Sequence, residues 1–91
     1  MAIQVRIPSI LRRQTEGAET VSLEGTTVGE ILMSLETRYE GLKGKLCGPQ
    51  GEIRRFVNIY INDNDVRLLG GPTTPVSEGD EVTIIPAVAG G

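Results

Sequence analysis

The chain has 91 residues, a formal net charge of −3, one cysteine and no histidine. That length suits a single domain near the lower limit of what folds without metal or disulfide staples, and a lone Cys47 excludes an internal disulfide and fits a reducing compartment. Mild acidity with only Tyr39, Phe56 and Tyr60 as aromatics argues against a nucleic-acid partner and leaves the core to Val, Ile and Leu.

Ala2 to Pro8 alternates, with Ile3, Val5 and Ile7 on one side and Gln4 and Arg6 on the other, which is the pattern of a half-buried strand. Arg12 to Gly17 reads as the polar connection of a hairpin with a long loop, and Ala18 to Glu24 resumes the alternation with Val21 and Leu23 inward. Thr27 and Glu30 have the spacing of a capping box, in which each side chain satisfies a backbone N–H left open by the first turn. Val28, Ile31, Leu32, Leu35 and Tyr39 then recur at helical spacing, and Gly41 is placed to end the helix in a left-handed conformation.

Leu42 to Glu52, with Gly44, Gly48, Pro49 and Gly51, is expected to be a loop with one helical turn around Lys43 to Leu46. Lys43, Lys45, Arg54 and Arg55 form a basic cluster beside it, readable as plain solvated charge or as a docking surface for an acidic partner. Without a histidine as base, Cys47 reads as an inert loop or core thiol. Ile53 to Asn62 is the clearest strand, with Val57, Ile59 and Ile61 on one face. Phe56, Asn58 and Tyr60 take the other, where Phe56 and Tyr60 are candidates for a partner-docking surface. Asn62 to Asp65 is a turn. It lacks the central glycine and distal glutamate of a calcium loop. Arg67 to Gly71 looks like the tail of ubiquitin, but Pro72 follows, and a Gly-Gly-Pro bend between short strands accounts for it. Val76 to Glu81 feeds a last strand in which Val82 and Ile84 should face the core.

The order strand, strand, helix, strand, short irregular strands, strand describes one helix on a small mixed sheet, an α+β layout with the first and last strands parallel. We expect residues 1–86 to form that domain and residues 87–91 a flexible tail. No stretch approaches the roughly 20 apolar residues of a membrane span, and the N-terminus has no signal-peptide pattern, so a soluble, cytoplasmic protein without membrane contact is expected.

The chemistry available is narrow. Serine and threonine have no histidine to activate them, and no phosphate-binding glycine loop or metal-ligand spacing is present, so an independent enzyme is not expected. The last five residues, Ala87-Val88-Ala89-Gly90-Gly91, carry no ionisable side chain. Their one reactive group is the Gly91 carboxylate, which becomes a good electrophile once adenylated and a nucleophilic thiocarboxylate once sulfide or a persulfide displaces AMP. Two terminal glycines let the backbone approach a partner closely, and five residues span at most about 17 Å, enough to thread a narrow cleft.

These features together resemble the ThiS/MoaD-type β-grasp sulfur carrier proteins, bacterial relatives of ubiquitin. The resemblance covers essentially the whole chain. It rests on the strand–strand–helix order, Phe56-Val57-Asn58-Ile59-Tyr60-Ile61-Asn62 with its acidic turn, Glu78-Gly79-Asp80-Glu81-Val82, and the Gly-Gly end. Ile7 to Arg12, Arg55 to Tyr60, Asp65-Val66-Arg67 and the Ala87 to Gly91 tail are most similar to a carrier of actinobacterial cysteine biosynthesis.

The resemblance implies a ubiquitin-like fold with Gly91 as the sulfur-carrying residue, and with Gly90, Ala89 and Val88 filling a partner's cleft. It implies an adenylating, sulfurtransferase-linked partner that uses ATP and a pyridoxal-phosphate cysteine synthase that takes up the sulfur. It also implies a zinc metalloprotease that releases cysteine. The chain itself would hold no cofactor and no metal. Alternatives at this level are a carrier for molybdopterin or thiamine thiazole synthesis, a ubiquitin-like modifier joined to lysines, and an interaction module with an idle tail.

Overall fold

The computed structural model describes residues 2–55 and 57–86. Five strands form one sheet: β1 (Ala2–Arg6), β2 (Thr20–Glu24), β3 (Val57–Ile61), β4 (Asn64–Asp65) and β5 (Glu81–Pro86), in the order β2-β1-β5-β3-β4. A single α-helix, α1 (Val28–Arg38), lies between β2 and β3 in the chain. β1 pairs antiparallel with β2 and parallel with β5, and β5 pairs antiparallel with β3. The fold is therefore α+β, a mixed sheet packed on one main helix in the β-grasp arrangement.

The alternation in the sequence sets the burial. Ile3, Val5 and Ile7 of the first strand region, Val57, Ile59 and Ile61 of β3, and Val82 and Ile84 of β5 face one core with Val28, Ile31, Leu32 and Leu35 of α1. Each such side chain contributes about 1.5–3 kcal/mol of burial free energy, so a core without tryptophan is sufficient. Tyr39, expected in the helical stripe, is the residue that caps the helix and is only partly buried.

Several local expectations are corrected. The β1–β2 connection is not open loop but a 3₁₀ segment, Ser9–Thr15, which buries Thr15. The helix begins at Thr27, whose hydroxyl accepts from Glu30 N as the capping box requires. Glu30, however, reaches one residue further back than expected and accepts from Thr26 N at 2.7 Å and Thr26 Oγ1 at 2.8 Å. The helix stops at Tyr39 in extended conformation, not at a left-handed Gly41. Gly41 sits instead in a 3₁₀ turn, Glu40–Leu42, where a Cβ would meet Gln14 Oε1 at 2.5 Å. A Cβ here would only have to turn the end of the partly exposed Gln14 side chain aside, and Gly41 is not in a left-handed conformation, so nothing in the structure requires glycine at this position.

The helical turn expected at Lys43 to Leu46 is displaced to Glu40–Leu42. β3 starts at Val57 and not at Ile53, because Ile53 bridges to Cys47 and Arg54 N donates to Leu46 O, so this segment pairs with the preceding loop. Asn62 takes the left-handed turn conformation, φ 56°, that asparagine tolerates. The stretch from Val66 to Thr73 holds two 3₁₀ turns where short strands were expected, with Gly71 at φ 60° ahead of Pro72.

Candidate functional site

The sheet holds Pro86, the residue before the expected tail, on its central strand. β5 is the middle strand of five. Its register with β3 pairs Ile61 with Val82 and Val57 with Pro86, so ladder hydrogen bonding follows the chain to residue 86. Val82 and Ile84 anchor the strand with 0% and 1% exposure. Ile85, 45% exposed, points to the open face away from α1. A strand buried on one side and flanked on both edges cannot shift without breaking two ladders, so the position of Pro86 is firmly set. Gly91, Gly90, Ala89 and Val88 lie outside the described residues, as does Phe56.

Tyr60, the other docking candidate, is half-buried on the open face and stands opposite Thr83. Asn58 stands opposite Ile85 on that same face, and Arg6 opposite Thr83 from the β1 side. The tail root is thus bordered on the open face by Arg6, Thr83, Ile85, Asn58 and Tyr60. Below it, Arg6, Ile7, Pro8 and Arg12 form one wall of a cleft and Ile85 and Pro86 the other. A larger cleft, about 490 Å³ and lined by Ile61, Asn62, Leu69, Gly70 and Thr73 to Pro75, lies at the opposite end of the β3–β5 ladder from Pro86.

Two polar clasps, one of them beside the strand partner of Pro86, have no periodic signature in the sequence. Arg67 spans three acceptors at the start of β3: Asn58 Oδ1 at 2.8 Å, Arg55 O at 3.0 Å and Val57 O at 2.9 Å. β4 pairs only with Tyr60 and Ile61, so this guanidinium occupies the edge of β3 that β4 leaves uncovered. Glu36 reaches from α1 to accept from Leu46 N and Cys47 N at 2.9 and 3.0 Å. Their only signal is a charged residue within an otherwise structural segment.

Of the basic cluster, Arg54 is drawn into the fold, its Nε donating to Gly44 O at 2.8 Å. Cys47 is buried, and its thiol is pushed up to about 11 by desolvation, with Glu36 and Glu52 adding to the shift. It is a neutral core thiol at physiological pH, not a nucleophile. Among the described residues, no group of three or more His, Cys, Asp or Glu side chains could hold a metal ion, and no helix is long and apolar enough to cross a membrane.

The sequence matches the ThiS family over residues 5–91, a span that includes the diglycine end. The chain belongs to the ThiS family. Within it, the sulfur carrier protein CysO of Mycobacterium tuberculosis is 50% identical to this chain, with each chain covered completely. Small archaeal modifier protein 3 of Haloferax volcanii is 43% identical over 75% of this chain and 73% of its own length. Among solved structures, the Amycolatopsis orientalis BexX/CysO complex contains a chain that superposes with a TM-score of 0.89. That chain is 47% identical, and the match covers 99% of this ThiS-family chain and 100% of that one. Mycobacterium tuberculosis CysO superposes with a TM-score of 0.85 at 48% identity, over 94% of this chain and 99% of its own.

Proposed function

We propose that the chain is a sulfur carrier whose C-terminal carboxylate is its working group, and that the sulfur is destined for cysteine. The observation that carries this reading is the end-to-end 50% identity to Mycobacterium CysO, supported by a family match that runs to Gly91. The chain supplies no catalytic side chain; activation belongs to partners. A Gly91 carboxylate oxygen attacks the α-phosphorus of ATP and pyrophosphate leaves. Sulfide then attacks the acyl carbon and expels AMP, which leaves a thiocarboxylate; a persulfide donor gives an acyl disulfide instead, from which a second thiol releases the thiocarboxylate by forming a disulfide. Small or absent side chains at Val88, Ala89, Gly90 and Gly91 suit passage of this end through a narrow enzyme cleft.

The Amycolatopsis complex gives a precedent for a carrier of this shape docked on another protein. We assign to partners of the present chain an ATP-using adenylating and sulfurtransferase enzyme, a pyridoxal-phosphate cysteine synthase and a zinc metalloprotease that frees cysteine, all acting in the cytoplasm. Intact-mass analysis of the protein from its native cell tests the reading. One oxygen replaced by sulfur at the C-terminus is expected, and a population that never carries sulfur under cysteine demand overturns it.

A second reading, a modifier joined to lysines through Gly91, draws support from the 43% identity to the archaeal modifier. Isopeptide-linked conjugates in extracts of the native cell, absent when Gly90 and Gly91 are deleted, would establish that activity.

A further inference from the structure

We propose that the cleft at the root of the tail is a docking groove for an acidic, partly apolar segment of the enzyme that activates Gly91; this rests on the carrier reading above. The cleft measures about 230 Å³ and opens between Arg6, Ile7, Pro8 and Arg12 on one side and Thr83 to Pro86 on the other. Small-molecule pockets run to roughly 300–1,000 Å³, so this one is sized for one or two inserted side chains of a macromolecule.

Its lining decides their chemistry. The accessible apolar part comes from Pro8, Pro86 and the 45% exposed Ile85, with Thr83 alongside; Ile7 and Ile84 back the cleft from the core. Both ionisable side chains in the wall are arginines, Arg6 and Arg12. Arg12 is held in place because its Nε donates to Ile7 O at 3.0 Å. Planar guanidinium groups beside an apolar floor suit carboxylates that flank a hydrophobic residue.

The charge of the whole molecule points the same way. The chain carries a net −3, yet its two ends differ. Arg54 and Arg55 lead into Val57, the partner of Pro86, and with Arg67 add to Arg6 and Arg12 at this end, where Glu19, paired with Ile7, is the acidic exception. At the other end of the same two strands, Asp63, Glu78, Asp80 and Glu81 gather round the turn where Asn62 N donates to Glu81 O and Asn62 Nδ2 to Asp80. Such a molecule approaches an acidic surface tail first, because the opposite end is repelled.

Reach adds a geometric requirement. Residues 87–91 span at most about 17 Å. An enzyme that holds Gly91 in its active site therefore has its surface within that distance of Pro86, a radius that includes the cleft.

The test is carrier-dependent ATP–pyrophosphate exchange in an extract of the cell that makes this protein, with the purified full-length chain as the varied component. Exchange reports adenylation of Gly91 whatever the sulfur donor. Arg6 is compared as wild type, Arg6→Glu and Arg6→Lys, with Glu78→Gln at the far turn as control. We expect Arg6→Glu to raise the KM for the carrier on the order of ten-fold with kcat within about two-fold, Arg6→Lys to restore most of it, and wild-type KM to climb with NaCl more steeply than that of Arg6→Glu. Equal KM and salt slopes for all forms, with the wild type active, overturn the groove and leave the carrier reading intact. Exchange that persists after deletion of Gly90 and Gly91, or that the wild type never supports, overturns the carrier reading and the groove with it.

Discussion

Arg67 Nη2 donates to the carbonyl of Val57 at 2.9 Å, and Val57 is the strand partner of Pro86, the last residue of β5. A side chain ten residues along the sequence thus fixes the free edge of the strand against which the tail root rests. The same guanidinium also holds Arg55 O and Asn58 Oδ1. Removing it leaves two backbone carbonyls to water, which is tolerable at an exposed edge, so Arg67→Ala should lower stability by only about 1 kcal/mol. Arg67→Lys should recover less than half of that, because one ammonium cannot span three acceptors arranged around a planar fork. Urea midpoints measure the cost. Amide exchange at Asn58 and Ile85 should quicken more than at Ile3. Equal protection in wild type and Arg67→Ala would show that the clasp does not support the tail root.

How far the sequence discloses this fold depends on the range of the contact involved. Strand faces and the helical stripe come from neighbours two to four residues apart, so the alternation at Ile3, Val5 and Ile7 and the spacing of Val28, Ile31, Leu32 and Leu35 already describe the core. The parallel β1–β5 pairing follows from needing both ends of the chain in one small sheet. Contacts across six or more residues are invisible to such patterns. Glu36 reads as an ordinary helix residue, yet it holds the Leu46 and Cys47 amides. Gly41 reads as a helix stop, but it lies in a 3₁₀ turn that packs against Gln14. Ile53 continues an apolar alternation that its bridge to Cys47 overrides. The tail-root cleft belongs to this class too: Arg6 and Arg12 look like solvated charge until β5 runs past them.

The start of α1 carries a pH-dependent element. Glu30 accepts two bonds from Thr26, chiefly from its backbone N–H, and these hold its carboxyl below the usual glutamate value of 4.5. A depressed folded-state pKa gives stability that is present above the unfolded value and is lost as pH falls through the folded one. Thermal midpoints of wild type should therefore fall between pH 5 and lower pH more steeply than those of Glu30→Gln. At pH 7, Thr27→Ala should cost about 1 kcal/mol, since Thr27 Oγ1 is the N-cap acceptor for Glu30 N. Parallel pH curves for wild type and Glu30→Gln would refute the first of these assignments.

Cys47 should resist alkylation. Its thiol stands at about 11 against an ordinary 9.0, raised mainly by desolvation and further by Glu36 and Glu52. Two units correspond to a hundred-fold smaller thiolate fraction at pH 8, before any steric protection. Iodoacetamide should label the native chain at least about 100-fold more slowly than the urea-unfolded chain. A raised folded-state value also contributes stability that is whole below about pH 9 and fades as pH rises toward 11. Cys47→Ser should flatten that alkaline decline. Rapid native labelling at neutral pH would mean the loop around Cys47 opens freely.

Adjacent isoleucines in β5 separate anchoring from docking. Ile84 is 1% exposed in the core and Ile85 is 45% exposed beside the tail-root cleft. Ile84→Ala removes buried methyl groups from a packed core and should cost about 2–5 kcal/mol. Ile85→Ala removes surface that is already half in water and should change stability by about 0.5 kcal/mol or less. Urea unfolding distinguishes the two directly. In carrier-dependent exchange the ranking should invert once each variant is assayed well below its own melting point. Ile85→Ala loses the apolar part of the groove and should raise KM several-fold, whereas folded Ile84→Ala should keep it near wild type. If Ile85→Ala destabilises the chain as much as Ile84→Ala, the two side chains do not lie on opposite faces, and the route by which β5 presents the tail has to be redrawn.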